Sequence, residues 1–155
     1  MIDVFAGFRL GAPAARVWSL INWTGVVALS GADTFFSAMR LSSSEPCVGA
    51  RRYFTPAQGG PEIEELLLHY DEQLRVYTYR VVDAGTLPLA DYEGRVCVTA
   101  AGPDQCLLSF SARGIPVGIT EQQFRDFYQA AESQIAAAVA KRLGARVLCW
   151  GGDES

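Results

Sequence analysis

The chain has 155 residues, half of them hydrophobic and 19% charged, enough for one domain with a sizeable core and too apolar for a disordered polymer. Its formal net charge of −4 and pI near 5.0 argue against a general nucleic-acid binder, which needs a concentrated basic surface to neutralise phosphates. The opening Met1-Ile2-Asp3-Val4 has no basic n-region of a signal peptide, and no apolar run approaches the roughly 20 residues that span a bilayer. The expectation is a cytoplasmic chain without membrane or nucleic-acid partners, as monomer or homodimer.

Ile2 to Leu10 alternates weakly and predicts a first strand ending at Gly11. Pro13 suits the first turn of a helix, and Val17, Leu20 and Ile21 repeat at helical spacing beside Trp18. Asn22-Trp23-Thr24-Gly25 interrupts that helix, and a second short one follows through Val26 to Leu29. From Asp33 to Arg113, runs rich in Phe, Tyr, Val and Leu are broken by Gly, Pro, Asp and Ser clusters. This spacing predicts six strands near 33–43, 49–55, 62–71, 74–83, 88–100 and 105–113, paired as antiparallel hairpins. Gly114-Ile115-Pro116-Val117-Gly118 is read as a connector. Thr120 and Gln123 then form a capping box, with Ile119 and Phe124 at the staple positions. Phe124, Phe127, Tyr128, Ala131, Ile135, Ala138 and Val139 make one helical stripe, and Gly144 is a natural C′ residue after Leu143. The fold class expected is α+β: a seven-stranded curved antiparallel sheet wrapped around a long C-terminal helix, with two short helices after strand 1. Residues 1–150 form one domain in this reading, and 151–155 a flexible tail.

Cys47, Cys97, Cys106 and Cys149 stand far apart with no Cys-x-x-Cys, beside a single histidine, His69. A zinc site is therefore not expected, and the thiols are read as reduced. Cys97 and Cys106 could face each other across a hairpin, but nothing demands a bond.

The strongest functional signal is three polar residues on three predicted strands: Arg52 in Gly49-Ala50-Arg51-Arg52-Tyr53-Phe54, Glu65 in Glu64-Glu65-Leu66-Leu67-Leu68-His69, and Tyr92 in Leu89-Ala90-Asp91-Tyr92-Glu93-Gly94. Strand parity places Ala50, Phe54, Ile63, Leu67, His69, Tyr77, Tyr79, Val81, Val96 and Phe110 on the same inward face. That set is apolar and aromatic with a few polar groups, as ligand pockets are. Arg51, Glu62, Glu64, Arg80, Asp91 and Glu93 fall on the opposite face. Leu66, Leu68 and Tyr70 break the polar pattern there, as a partner surface or a covered edge would.

The order of elements, with Ala15-Arg16-Val17-Trp18-Ser19-Leu20-Ile21, Gly49-Ala50-Arg51-Arg52-Tyr53, Glu65-Leu66-Leu67, Tyr77-Thr78-Tyr79-Arg80 and Ser109-Phe110-Ser111, resembles the START-like helix-grip superfamily that includes polyketide cyclase/dehydrases. Arg52, Glu65 and Tyr92 resemble, by motif, the Arg/Glu/Tyr set of the plant lachrymatory-factor synthase branch. The resemblance implies an internal cavity and catalysis by Arg52, Glu65 and Tyr92 without metal or cofactor. Phe54, Leu67, His69, Tyr77, Tyr79, Phe110, Phe124 and Tyr128 are the expected substrate-binding wall. The expected partner is a hydrophobic small molecule, and the expected chemistry is cyclisation, dehydration or isomerisation; a carrier that only binds such a molecule is the alternative. In the enzyme reading Glu65 is the base and Arg52 and Tyr92 stabilise charge on oxygen. In the structural reading Arg52 and Glu65 simply satisfy each other as a buried pair, and Tyr92 is a core tyrosine. His69 lies near a strand end, where solvent exposure competes with an acid/base role.

Overall fold

The computed structural model describes residues 1–152, with 149–152 described by backbone alone. In chain order the elements are β1 (Ile2–Leu10), α1 (Ala14–Ile21), a 3-10 helix (Gly25–Leu29), β2 (Phe36–Leu41), β3 (Arg51–Pro56), β4 (Ile63–Asp71), β5 (Val76–Asp83), β6 (Leu89–Ala100), β7 (Cys106–Pro116), α2 (Glu121–Leu143) and β8 (Val147–Gly152). The strands form one antiparallel sheet in the order β2-β3-β4-β5-β6-β7-β1-β8. This is the helix-grip arrangement, with α2 lying along the concave face of the sheet.

The sheet has eight strands, one more than expected. After α2 ends, Gly144 takes a left-handed φ of 62°, which only glycine adopts without penalty. The chain turns back, and β8 pairs with β1 from Leu10↔Val147 to Ala6↔Gly152. The tail expected from 151 thus begins inside a strand; its remainder, 153–155, lies outside the described residues. β7 also runs further than expected, to Pro116, so most of the presumed connector before α2 is strand.

The start of α2 follows the capping chemistry read from the sequence. The Gln123 amide donates to the Thr120 hydroxyl at 3.1 Å, and the Thr120 amide donates to Gln123 Oε1 at 2.9 Å. Lys141 and Arg142 occupy the last turn, where cations favour the negative end of the helix dipole. Phe124, Tyr128, Ile135 and Val139 are buried against the sheet, and the small Ala131, Ala136 and Ala138 let the helix approach closely. Phe124, Tyr128, Ile135, Ala136, Ala138 and Val139 form one continuous core with Phe8, Trp23, Phe36 and Leu108.

Two irregularities decide which side chains face that core. β4 has a register shift between Leu67 and His69. The extra residue reverses the alternation, so His69 is exposed while Tyr70 turns in to meet Trp18 and Tyr77, with ring centroids 5.6 and 6.4 Å away. β6 has a second shift between Ala90 and Glu93, where Asp91 takes a φ of +48°. Tyr92 keeps the parity of Gly94 and Val96 and is buried with them, and the shift brings Leu89, three residues earlier, onto the same buried face. Cys97 and Cys106 do not face each other: Cys97 pairs with Ser109 and Cys106 with Ala100, and both thiols are free.

No helix among the described residues is long and apolar enough to cross a membrane.

Candidate active site

Arg52 and Glu65 are directly opposite each other on β3 and β4. Arg52 Nε donates to Glu65 Oε1 at 2.6 Å, and both residues are buried, 5% and 6% exposed. The guanidinium is held on its other side as well. Its Nη1 donates to the Trp23 carbonyl at 3.2 Å and to the Tyr77 hydroxyl at 3.4 Å, and its carbon lies 4.0 Å from the centroid of the Trp23 ring. Burial opposes the arginine's charge, but the Glu65 carboxylate and the Tyr77 and Tyr79 side chains hold its pKa above the usual value.

The break after α1 makes this arrangement possible. The Asn22 side chain accepts from the Gly25 amide at 2.7 Å, and a Cβ on Gly25 would stand 2.2 Å from the Ser19 carbonyl oxygen. Only glycine lets the chain reverse so tightly, and the reversal carries the Trp23 ring and carbonyl onto Arg52. Tyr77 is locked in turn by donating to the Ile21 carbonyl at 3.1 Å.

Between α2 and the sheet lies a cavity of about 320 Å³. Glu65, Tyr79, Tyr92, Phe54, Phe124 and Tyr128 line it, all anticipated from parity or the helical stripe. At one end the exposed Gln58, Gly59 and Thr86 border it beside Pro88 and Phe127, so its mouth lies between the β3–β4 and β5–β6 loops. A smaller space of about 40 Å³ continues inward, bordered by Arg52, Tyr77, Phe110 and Ile135; Glu65, Tyr79 and Phe54 border both. Arg52 therefore stands behind Glu65 and borders only the inner space. Leu67 is buried in the core away from both, and exposed His69 belongs to neither. The expected binding wall is corrected at these two positions, His69 because of the bulge in β4.

Besides Trp23, sequence reasoning missed an ionisable group, Glu132. It is 8% exposed, on the buried face of α2, and it borders both spaces. No hydrogen bond or salt bridge to its carboxyl occurs among the described residues. Burial, and after it the nearby Glu65 charge, push its pKa up to about 8, with Arg52 pulling weakly the other way. The signal was in the sequence: Glu132 follows Tyr128 by four residues and precedes Ile135 by three, so it belongs to the apolar stripe that skipped it.

Glycines on neighbouring strands shape the tyrosine wall. Tyr79 is directly opposite Gly94, and a Cβ at Gly94 would meet the Tyr79 ring at 2.4 Å. At Gly114 a Cβ would meet Tyr92 at 3.0 Å and Phe124 at 3.3 Å. Burial raises the pKa values of Tyr79 and Tyr92 well above that of a free phenol, so both stay protonated donors across the working range. Gly94→Ala is expected to displace the Tyr79 ring at a cost of about 1–3 kcal/mol, measured by urea denaturation. An unchanged midpoint would show that the ring does not need the bare glycine surface.

Among the described residues no three His, Cys, Asp or Glu side chains are placed to hold a metal ion. The site offers instead a carboxylate with a fixed counter-ion, a second carboxyl of raised pKa, and phenol donors, all around an aromatic chamber.

A family model described as polyketide cyclase/dehydrase and lipid transport matches residues 1–147. No curated protein sequence matches the chain. Several solved structures share its fold. XoxI from Bacillus cereus has a TM-score of 0.78 at 17% identity, covering 92% of this chain and 95% of that one. A Thermobifida fusca protein has a TM-score of 0.71 at 22% identity, covering 93% and 94%. Truncated norcoclaurine synthase from Thalictrum flavum has a TM-score of 0.66 at 18% identity, covering 92% and 94%.

Proposed function

Because this chain belongs to the polyketide cyclase/dehydrase and lipid transport family, we propose that it is an acid/base enzyme that cyclises, dehydrates or isomerises a small hydrophobic metabolite with its own side chains. The observation that carries this reading is the pair of carboxyls, Glu65 and Glu132, bordering one aromatic cavity in different electrostatic settings. Two carboxyls kept in different protonation states are the usual means of running base and acid steps at one pH.

Glu65, with Arg52 as its counter-ion, is the base. In a ring closure it removes a proton from the carbon beside a carbonyl, and the electron pair moves onto that carbonyl oxygen, which Tyr92 stabilises by donating a hydrogen bond. The enolate carbon then attacks a second carbonyl. The oxygen formed there takes the Glu132 proton. Glu65 ends protonated and Glu132 ionised, and proton exchange through the mouth restores both. Arg52 acts as a positioning residue, since the cavity that would hold the substrate stops at Glu65.

The test is turnover of a panel of small aromatic ketones and β-hydroxy ketones, followed by mass spectrometry, in wild type and Glu65→Gln. Loss of rate by about 10²- to 10⁴-fold with affinity retained is the expected outcome. Conversion unchanged in Glu65→Gln would remove the assigned role. Binding without conversion in wild type would favour the carrier reading, to which the largely aromatic walls and the family description also lend support.

A further inference from the structure

We propose that Glu132 is the anchor for a cationic head group, so that the cavity takes an aromatic amine in its ammonium form and rejects carboxylates. The inference rests on the cavity being a ligand site, as in the proposed function, and names the class of ligand it holds.

Two geometric facts carry it. First, the arginine nearest the cavity is already committed: Arg52 is engaged by Glu65, the Trp23 carbonyl and the Tyr77 hydroxyl, and it does not border the larger space. A carboxylate ligand would therefore meet Glu65 and Glu132 with no free cation to receive it. Second, Glu132 is buried to more than nine-tenths, borders the cavity and has no partner among the described residues. A buried carboxyl in that state lacks the hydrogen bonds such groups ordinarily make, and a ligand ammonium supplies both charge and donors. The rings of Phe54, Phe124 and Tyr128 around it offer faces that attract a cation as well as an aromatic body.

The ionisable groups near Glu132 are Glu65 and Arg52 from the sheet, Tyr77, Tyr79 and Tyr92 beside them, and Tyr128 one turn earlier on α2. Tyr77, Tyr79 and Tyr92 keep their protons near pH 7 and Glu65 already has Arg52 as counter-ion, so the group that responds to an incoming ammonium is Glu132. At that pH its carboxyl is mostly protonated in the empty cavity; seating an ammonium on it releases the proton, and with such a ligand the seated ammonium takes over from the Glu132 carboxyl as the proton donor of the proposed ring closure.

The experiment compares three probes of one shape by titration calorimetry: 2-naphthylmethylamine, 2-naphthalenemethanol and 2-naphthoate. The amine is expected to bind about 10-fold or more tightly than the alcohol, the difference between a charge-assisted and a neutral hydrogen bond, with the carboxylate weakest. In wild type at pH 7, amine binding releases close to one proton, seen by comparing buffers of different ionisation enthalpy. Glu132→Gln brings the amine down to the level of the alcohol and abolishes proton release. An alcohol that matches the amine, a carboxylate that outbinds it, or amine binding without proton release overturns the proposal while leaving the cavity a ligand site. Failure of all three probes to bind overturns both the anchor and the reading of the cavity itself.

Discussion

Arg52→Met is expected to cost about 3–5 kcal/mol, the penalty for removing one partner of a buried ion pair and leaving the other uncompensated. The loss exceeds that of an ordinary polar substitution because several groups depend on this guanidinium. The Glu65 carboxylate would lose its counter-ion, and the Trp23 carbonyl and Tyr77 hydroxyl would each lose a donor. The Trp23 ring would also lose the cation stacked on it at 4.0 Å. Methionine fills much of the volume, so the deficit is electrostatic rather than a cavity. Glu65→Gln in the same background should recover part of the loss, because it removes the stranded charge. Urea denaturation of wild type, both single variants and the double variant gives the coupling directly. If the double variant loses the sum of the two singles, the pair is no energetic unit and Arg52 cannot be what fixes Glu65 in place.

The second large effect is a stability difference that grows with pH between wild type and Glu132→Gln. The carboxyl titrates near 4.5 when unperturbed and near 8 in the folded protein. Below the lower value both folded and unfolded chains are protonated, and glutamate and glutamine behave alike. Between the two values the unfolded chain gives up its proton while the folded chain keeps it, so wild-type stability falls as pH rises. Above about pH 8 the folded chain carries the buried charge and the whole penalty is present. Glutamine escapes this drift. The variant should therefore match wild type near pH 4.5 and exceed it by about 2–5 kcal/mol near pH 9, visible as a melting-temperature gain of several degrees that appears only at alkaline pH. A gain independent of pH would show that Glu132 titrates normally.

Much of this architecture was legible in the chain. The capping box of α2, the C′ glycine and the antiparallel hairpins follow from local chemistry, and the alternation on β3, β5 and β7 placed Arg52, Phe54, Tyr79 and Phe110 correctly. What failed did so for identifiable reasons. Parity is a count from a reference residue, and one inserted residue in β4 inverts every position after it, which moved His69 out and Tyr70 in. β8 was missed because a short apolar run after a helix has no periodic signature until an edge strand stands ready to pair with it. Trp23 and Glu132 were missed for opposite reasons. Trp23 sits in a helix break that local rules read only as an interruption, and Glu132 is a charged residue on a face that hydrophobic patterning defines by its apolar members. Both errors fall where the chain departs from the simplest apolar solution, and both departures are at the site.

The parts of the cavity divide by the kind of chain that carries them. Glu65, Tyr79 and Tyr92 come from strands, and Glu132 from the middle of a 23-residue helix, all backbone that tolerates little change in length. Gln58 and Gly59, and Thr86 and Pro88, come from two hairpin connections, where insertions carry only a small entropic cost. In the proposed reading, chemistry and admission are thus written on separable stretches of sequence. Descendants of this scaffold could exchange those two connections, and with them the molecules admitted, while inheriting Glu65, Tyr79, Tyr92 and Glu132 unaltered.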